Sequence, residues 1–235
     1  MNTYRKNAVI VGVLFILAIV VLFAGEALYR PVIDSPDYLD EAYPNRVVVI
    51  IGILLEFVGV PAVVLLSVFL FPVLRQHNEP LALGYVAFRV FEAAVLSVSY
   101  VSKLSLVSLS QAYLNAAGAD ASLFQTVGSA IQSLNHWAGT QGMVYLIVFS
   151  LGSLMFNYVL YQSKLVPRLI SGWGVVAALV LLTGSVLVNL DVFAGMSGLG
   201  LELIFAGPIP VGEIAVSVWL IAKGFNPSAL AAEPT

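Results

Sequence analysis

Six stretches of this chain are apolar over about 20 residues or more, the length a helix needs to cross the hydrocarbon of a bilayer. They run roughly from Ala8 to Leu28, Val47 to Leu74, Leu81 to Leu114, Gly139 to Tyr161, Leu169 to Val188 and Leu201 to Ala222. Inside a bilayer no water satisfies backbone N–H and C=O groups, so a spanning segment must be a helix or part of a closed barrel. No alternating barrel pattern competes here, and the expected fold is all-α: a polytopic transmembrane bundle of six spans. With 60% hydrophobic and 10% charged residues, against roughly a quarter charged in ordinary soluble domains, no long polar segment remains for an appended domain. Residues 1–235 read as a single integral membrane domain.

The first run follows Arg5 and Lys6, as a signal peptide would. It is longer than a signal core and carries Glu26 among the small residues where cleavage would fall, so it reads as a retained span. The second and third runs exceed the minimum and must tilt, kink or project, with Pro61 and Pro72 as kink or exit points in the second. If six spans alternate, Arg5, Lys6, Arg75, Lys164, Arg168 and Lys223 all fall on one side. The positive-inside rule makes that side the cytoplasm and places both termini there. The opposite side carries the acidic loop Tyr29 to Arg46 and a connection from about Asn115 to Ala138 whose loose helical periodicity suits the membrane interface.

Charged residues inside the spans are costly, so each marks a place to look. The segment "FRVFEA", Phe88 to Ala93, sets Arg89 and Glu92 one helical turn apart, on a face shared with Tyr85, Ser99, Lys103 and Ser110. At 1.5 Å per residue from Leu81, Arg89 lies about 12 Å deep and Glu92 about 16 Å, while Lys103 is far enough along to snorkel outward. Glu56 lies about 14 Å from Val47, at a similar level to that pair, with Gly52, Gly59 and Ser67 on its face. Glu213 lies about 18 Å from Leu201 and follows "GPIPVG", Gly207 to Gly212, where two prolines remove amide donors and predict a break or kink. The fourth span adds Ser150, Ser153, Asn157 and Tyr161 at spacings of three and four. Glu56, Arg89, Glu92, Asn157 and Glu213 are therefore the candidate site, formed by spans two, three, four and six, with spans one and five mainly giving lipid contact and packing.

One guanidinium cannot neutralise three carboxylates. At least one of Glu56, Glu92 and Glu213 is expected to be protonated, paired to a ligand or hydrated. That excess points to binding or translocation of a proton, ion or small polar solute. The alternatives are an intramembrane enzyme acting on a lipid or isoprenoid head group, and a structural protein whose buried ion pairs hold the bundle together.

Other chemistries lack their residues. There are no cysteines, which removes disulfides, thiolate nucleophiles and Cys-containing metal sites. His77 and His136 fall in connections on opposite sides and cannot share a metal, so no metal and no cofactor is expected. Asp34, Asp37, Asp40 and Glu41 lack the glycine and terminal glutamate of an EF-hand and read as a solvated loop. Ser99 and Lys103 at i, i+4 permit a serine–lysine dyad, but serines in membrane helices usually bond their own backbone. Nucleophile elbows, HExxH, Walker and dinucleotide motifs are absent. Net charge is -3 without a basic patch, so nucleic acid is not a partner. The expected partners are the lipid bilayer and a small-molecule, ion or lipid ligand; oligomeric state is open.

Three segments, "FRVFEA" at Phe88 to Ala93, "YQSKLVPRLISGWG" at Tyr161 to Gly174 and "GEIAVSVWLIAKGF" at Gly212 to Phe225, carry a resemblance. With the spacing of the spans, the chain resembles a family of bacterial six-helix integral membrane proteins known only as a domain of unknown function. The resemblance implies six helices and the bacterial cytoplasmic membrane, with no catalytic residues to transfer.

The absence of cysteine makes the topology directly testable. Single cysteines at Ser35, His77, Asp120, Ser163 and Ser228 should divide cleanly, with an impermeant thiol reagent applied to intact cells reaching Ser35 and Asp120 only. External labelling at Ser163 would reverse the orientation.

Overall fold

The computed structural model describes residues 3–116, 120–193, 195–196 and 198–230 of the 235. Among them every regular element is a helix: α1 Thr3–Ile33, α2 Tyr38–Glu41, α3 Arg46–Leu74, α4 Glu79–Asn115, α5 Ala121–Ala138, α6 Met143–Ser163, α7 Arg168–Asn189, α8 Gly198–Phe205, α9 Pro208–Ala222 and α10 Pro227–Leu230. Among the described residues six helical stretches are long and apolar enough to cross a membrane: α1, α3, α4, α5 with α6, α7, and Gly200–Ala222 of α8 and α9. Large apolar side chains such as Val13, Phe23, Leu54, Leu65 and Val101 remain uncovered. In water this would be an aggregating surface; in lipid it is the expected one.

Local chemistry places the helix ends. Asn78 caps α4, its Oδ1 accepting the Leu81 N–H at 3.0 Å, with Glu79 in the positive first turn. At the far end of α9, Gly224 adopts a left-handed φ of 77° and returns its N–H to Leu220 and Trp219, the usual glycine stop. The sixth span is broken as the prolines predict: α8 ends at Phe205 and α9 restarts with Pro208 in its first turn, where a missing amide hydrogen costs nothing.

The contacts fall into two compact units assembled from discontinuous segments: Met1–Leu17, Ala62–Ala93 and Leu146–Thr235 in the first, Ala18–Pro61 and Ala94–Tyr145 in the second. The first unit has a continuous apolar core containing Phe15, Leu66, Leu70, Tyr85, Phe156 and Leu220. Tyr85 stacks on Phe156 at 5.0 Å between ring centroids. Arg5 of α1 donates to the Leu220 and Ile221 carbonyls at 2.8 and 2.6 Å, capping the negative end of α9 and tying the first helix to it.

In the second unit α1 and α3 meet through a reciprocal glycine contact. A Cβ on Gly25 would stand 2.5 Å from the Gly52 carbonyl oxygen, and one on Gly52 2.8 Å from that of Gly25. Only two hydrogens allow backbones this close. The contact brings the turn carrying Tyr29 against the turn carrying Glu56. The loop after α1 is held to α4 by Ser110, which donates to Leu39 O at 2.7 Å and accepts the Tyr43 N–H at 2.9 Å. The segment expected at the interface is α5, with Gly128 its one buried residue; Ser99 of α4 donates to Asn135 near its end at 2.7 Å.

Gly25→Val should force α1 from α3 and destabilise the protein by about 1–3 kcal/mol, the usual cost of overpacking. Gly198→Ala, where an added Cβ meets nothing within 4 Å, should be neutral. Unfolding in detergent followed by circular dichroism compares the two.

Candidate functional site

The face of α4 reads Tyr85, Arg89, Glu92 at spacings of four and three, so the three side chains stack along one side of the helix. Arg89 Nη1 donates to Glu92 at 2.8 Å from Oε2 and 3.1 Å from Oε1. Its Nε donates to Tyr85 Oη at 3.2 Å. The guanidinium carbon also lies 5.1 Å from the centre of the Phe149 ring of α6, close enough for the ring face to favour the cation. The Arg89 and Glu92 side chains are 2% and 3% exposed. This is a charge-assisted pair removed from solvent, and every bond just named to α4 itself is local in sequence.

α9 adds a second carboxylate. Glu213 Oε1 stands 3.7 Å from Arg89 Nη2 and its side chain is 20% exposed, an ion pair beyond hydrogen-bond length. Beside Glu213 is a narrow cavity lined also by Ser153 and Asn157 of α6, Gly174 of α7, and Ile209 and Gly212 of α9, with room for about one water molecule. Asn157 is held in place by donating to Ser153 O at 2.9 Å and Oγ at 3.2 Å. Gly174 makes that possible, because a Cβ there would occupy the space of the Asn157 amide. On the α7 side, the Trp173 indole donates to Pro208 O at 2.9 Å and ties α7 to the start of α9. Ser150, which the spacing also offered, bonds the Leu146 carbonyl of its own helix at 2.6 Å.

Glu56 does not pair with Arg89. Its ion-pair partner is Lys103, with Nζ 3.5 Å from Oε2 and side chains 1% and 3% exposed. Lys103 is therefore buried rather than snorkelling. α4 continues to Asn115, so Lys103 lies twelve residues from its end, about 18 Å at 1.5 Å per residue, too far for its side chain to reach the helix terminus. The ammonium donates to Tyr29 Oη at 2.7 Å and stands 4.1 Å from the Tyr29 ring centre and 5.3 Å from that of Tyr100. Beyond the mainly packing role expected of the first span, α1 runs past the predicted Leu28 and supplies Tyr29 to this pair. Nearby, Glu26 of α1 accepts a short hydrogen bond from Thr140. Tyr29 and Phe149 were missed by the sequence reading because nothing marks them among the other aromatics of the spans. Lys103 was visible but misplaced, and its distance from the true end of α4 was the signal that would have corrected it.

The remaining candidates gather no chemistry. Among the described residues no three His, Asp or Glu side chains converge on a point, the acids of the loop after α1 included. His77 lies in the turn between α3 and α4, where burial pushes its imidazole down from the ordinary value and leaves it neutral near pH 7.

The family model described as Domain of unknown function (DUF4386) matches residues 10–224. The chain belongs to this family. The match takes in all six apolar stretches, both carboxylates on Arg89, and the Glu56–Lys103 pair. No curated protein and no solved structure matches the chain.

Arg89→Ala would leave Glu92 and Glu213 without their cation, and is expected to cost about 3–5 kcal/mol. Lys103→Ala should cost a similar amount for the same reason. Arg30→Ala, whose pair with Asp34 is 44% and 50% exposed, should cost less than about 1 kcal/mol. A double-mutant cycle over Arg89 and Glu92 in detergent unfolding should show strong coupling.

Proposed function

We propose that this multi-pass membrane protein binds and passes protons at the Arg89–Glu92–Glu213 cluster, with Glu213 as the group that changes protonation. The observation that carries the reading is the charge balance: two carboxylates face one guanidinium in a nearly dry site, and Glu213, the more loosely held, opens onto the cavity. An arginine keeps its charge at every accessible pH. Glu92 takes the short bonds to it. Glu213 is then the acid whose proton brings the cluster to neutrality, and the cavity beside it, with Ser153 and Asn157 on its wall, suits a water that delivers the proton.

A proton also fits the space. A cavity of about one water is too small for a lipid head group or an organic solute, so the enzyme reading finds no support in it. An ion would have to shed its hydration shell against one carboxylate that already faces Arg89, which is a poor set of ligands for any hard cation.

The break before α9 supplies a moving part. When Glu213 is ionised it is drawn to Arg89; protonated, it loses that attraction. Because α9 restarts at Pro208 after a turn, it can tilt about residues 206–207 without breaking a continuous helical ladder. Loading and release on opposite sides follow from such a tilt. The bacterial cytoplasmic membrane, with both termini inside, is part of this proposal, on the family resemblance and the placement of the basic residues.

Glu213→Gln imitates the protonated acid. In liposomes under an imposed pH gradient, wild type should carry proton flux above empty vesicles, and E213Q should fall to their level while its unfolding temperature stays near wild type. Equal flux in the two folded proteins would return Glu213 to a structural role.

A further inference from the structure

We propose that Glu56, with Lys103 and Tyr29, forms a second proton-binding centre, one built on an amine where the Arg89 cluster is built on a guanidinium. Its geometry is that of an unfinished ion pair. The Lys103–Glu56 distance of 3.5 Å exceeds an ordinary charge-assisted bond of about 2.7–2.9 Å. Neither Glu56 oxygen accepts a hydrogen bond of normal geometry among the described residues, though both are buried; Tyr29 and Lys103 approach the carboxylate only at the limit of hydrogen-bond reach. A buried carboxylate that served stability alone would be expected to have its oxygens satisfied. An acid with two open lone-pair sets in a dry site is instead ready to accept a proton.

The surroundings keep the cation in place when that happens. Lys103 donates to Tyr29 Oη and sits against the Tyr29 and Tyr100 rings, so the ammonium retains a hydrogen bond and two aromatic faces after Glu56 is neutralised. The charged and titratable groups within electrostatic reach of the pair are Glu26 and Tyr29 from α1, Asp34 from the loop that follows it, Glu56 from α3 and Tyr100 on α4 itself.

The choice of lysine adds a step that arginine cannot perform. A guanidinium does not release its proton, whereas an ammonium can. Transfer from Lys103 Nζ to Glu56 Oε2 breaks one N–H bond and forms one O–H bond, leaving a neutral amine beside a neutral acid. The amine then takes its next proton from outside the pair. Lys103 is in this way both counter-ion and donor to Glu56, and Tyr29 Oη, bonded to Nζ, fixes where the amine points.

The test counts protons. Purified protein in nanodiscs is taken from about pH 9 to about pH 5, a range that lies between the ordinary lysine and carboxylate values, about 10.4 and 4.3, so that unperturbed groups of either kind add little, and uptake is read with an indicator dye against empty nanodiscs. Wild type should take up about one proton per chain more than E56Q, which has no acid to protonate. K103R, which holds Glu56 to a fixed guanidinium, should show the same deficit. An uptake in folded E56Q equal to wild type overturns the proposal. The outcome does not depend on Glu213: the deficit of E56Q should persist in an E213Q background even if E213Q alone changes nothing. Should both variants at the pair fail to fold, the infrared pH-difference spectrum of E213Q decides. A protonated-carboxyl band at the high-frequency end, where a carbonyl without hydrogen bonds absorbs, supports the centre, and its absence overturns it.

Discussion

A full charge held in hydrocarbon must be matched where it sits, since bulk water does not surround it, and removal of its partner costs several kcal/mol. Arg89 is that charge in the first unit. It is matched from its own helix by Glu92 and Tyr85, one turn to either side, from α6 by the face of Phe149, and from α9 by Glu213. The positions of α6 and α9 against α4 are thus constrained by electrostatics as well as by packing. A guanidinium suits the task because its donors point several ways at once and its charge does not titrate.

The second unit meets the same demand with different chemistry. Lys103 has one anion, one hydroxyl and two rings, and the contact that assembles them is steric: Gly25 and Gly52 let α1 and α3 approach until Tyr29 and Glu56 reach the same ammonium. In each unit a tyrosine hydroxyl accepts a bond from the cation and a carboxylate is left in excess or incompletely bonded. Networks meant only to hold helices together gain nothing from such excess. This is the physical ground for reading both as places where protons come and go.

The spans and the break before α9 were legible because their causes are local. Twenty apolar residues in a row cannot avoid the bilayer, and "GPIPVG" cannot sustain an uninterrupted helical ladder. The Arg89–Glu92 bond was legible for the same reason, since residues three apart on a helix are neighbours whatever the tertiary structure does. Glu56 was grouped with Arg89 and Glu92 by comparing depths, and depth alone does not give azimuth: two groups at one level can face different sides of their helices. Lys103 was read as interfacial because its own helix was measured from the wrong end.

What the sequence by itself determined about this protein was its helical spans, its medium and the Arg89–Glu92 ion pair, because each of these depends on residues close together along the chain. The partners of Glu56 and Glu213, the role of Tyr29 and the small cavity beside Asn157 were decided only by the tertiary structure. They depend on how far each helix is rotated about its axis and how closely glycines such as Gly25, Gly52 and Gly174 let the backbones approach. Those quantities come from the joint packing of all the helices, and no single segment carries them.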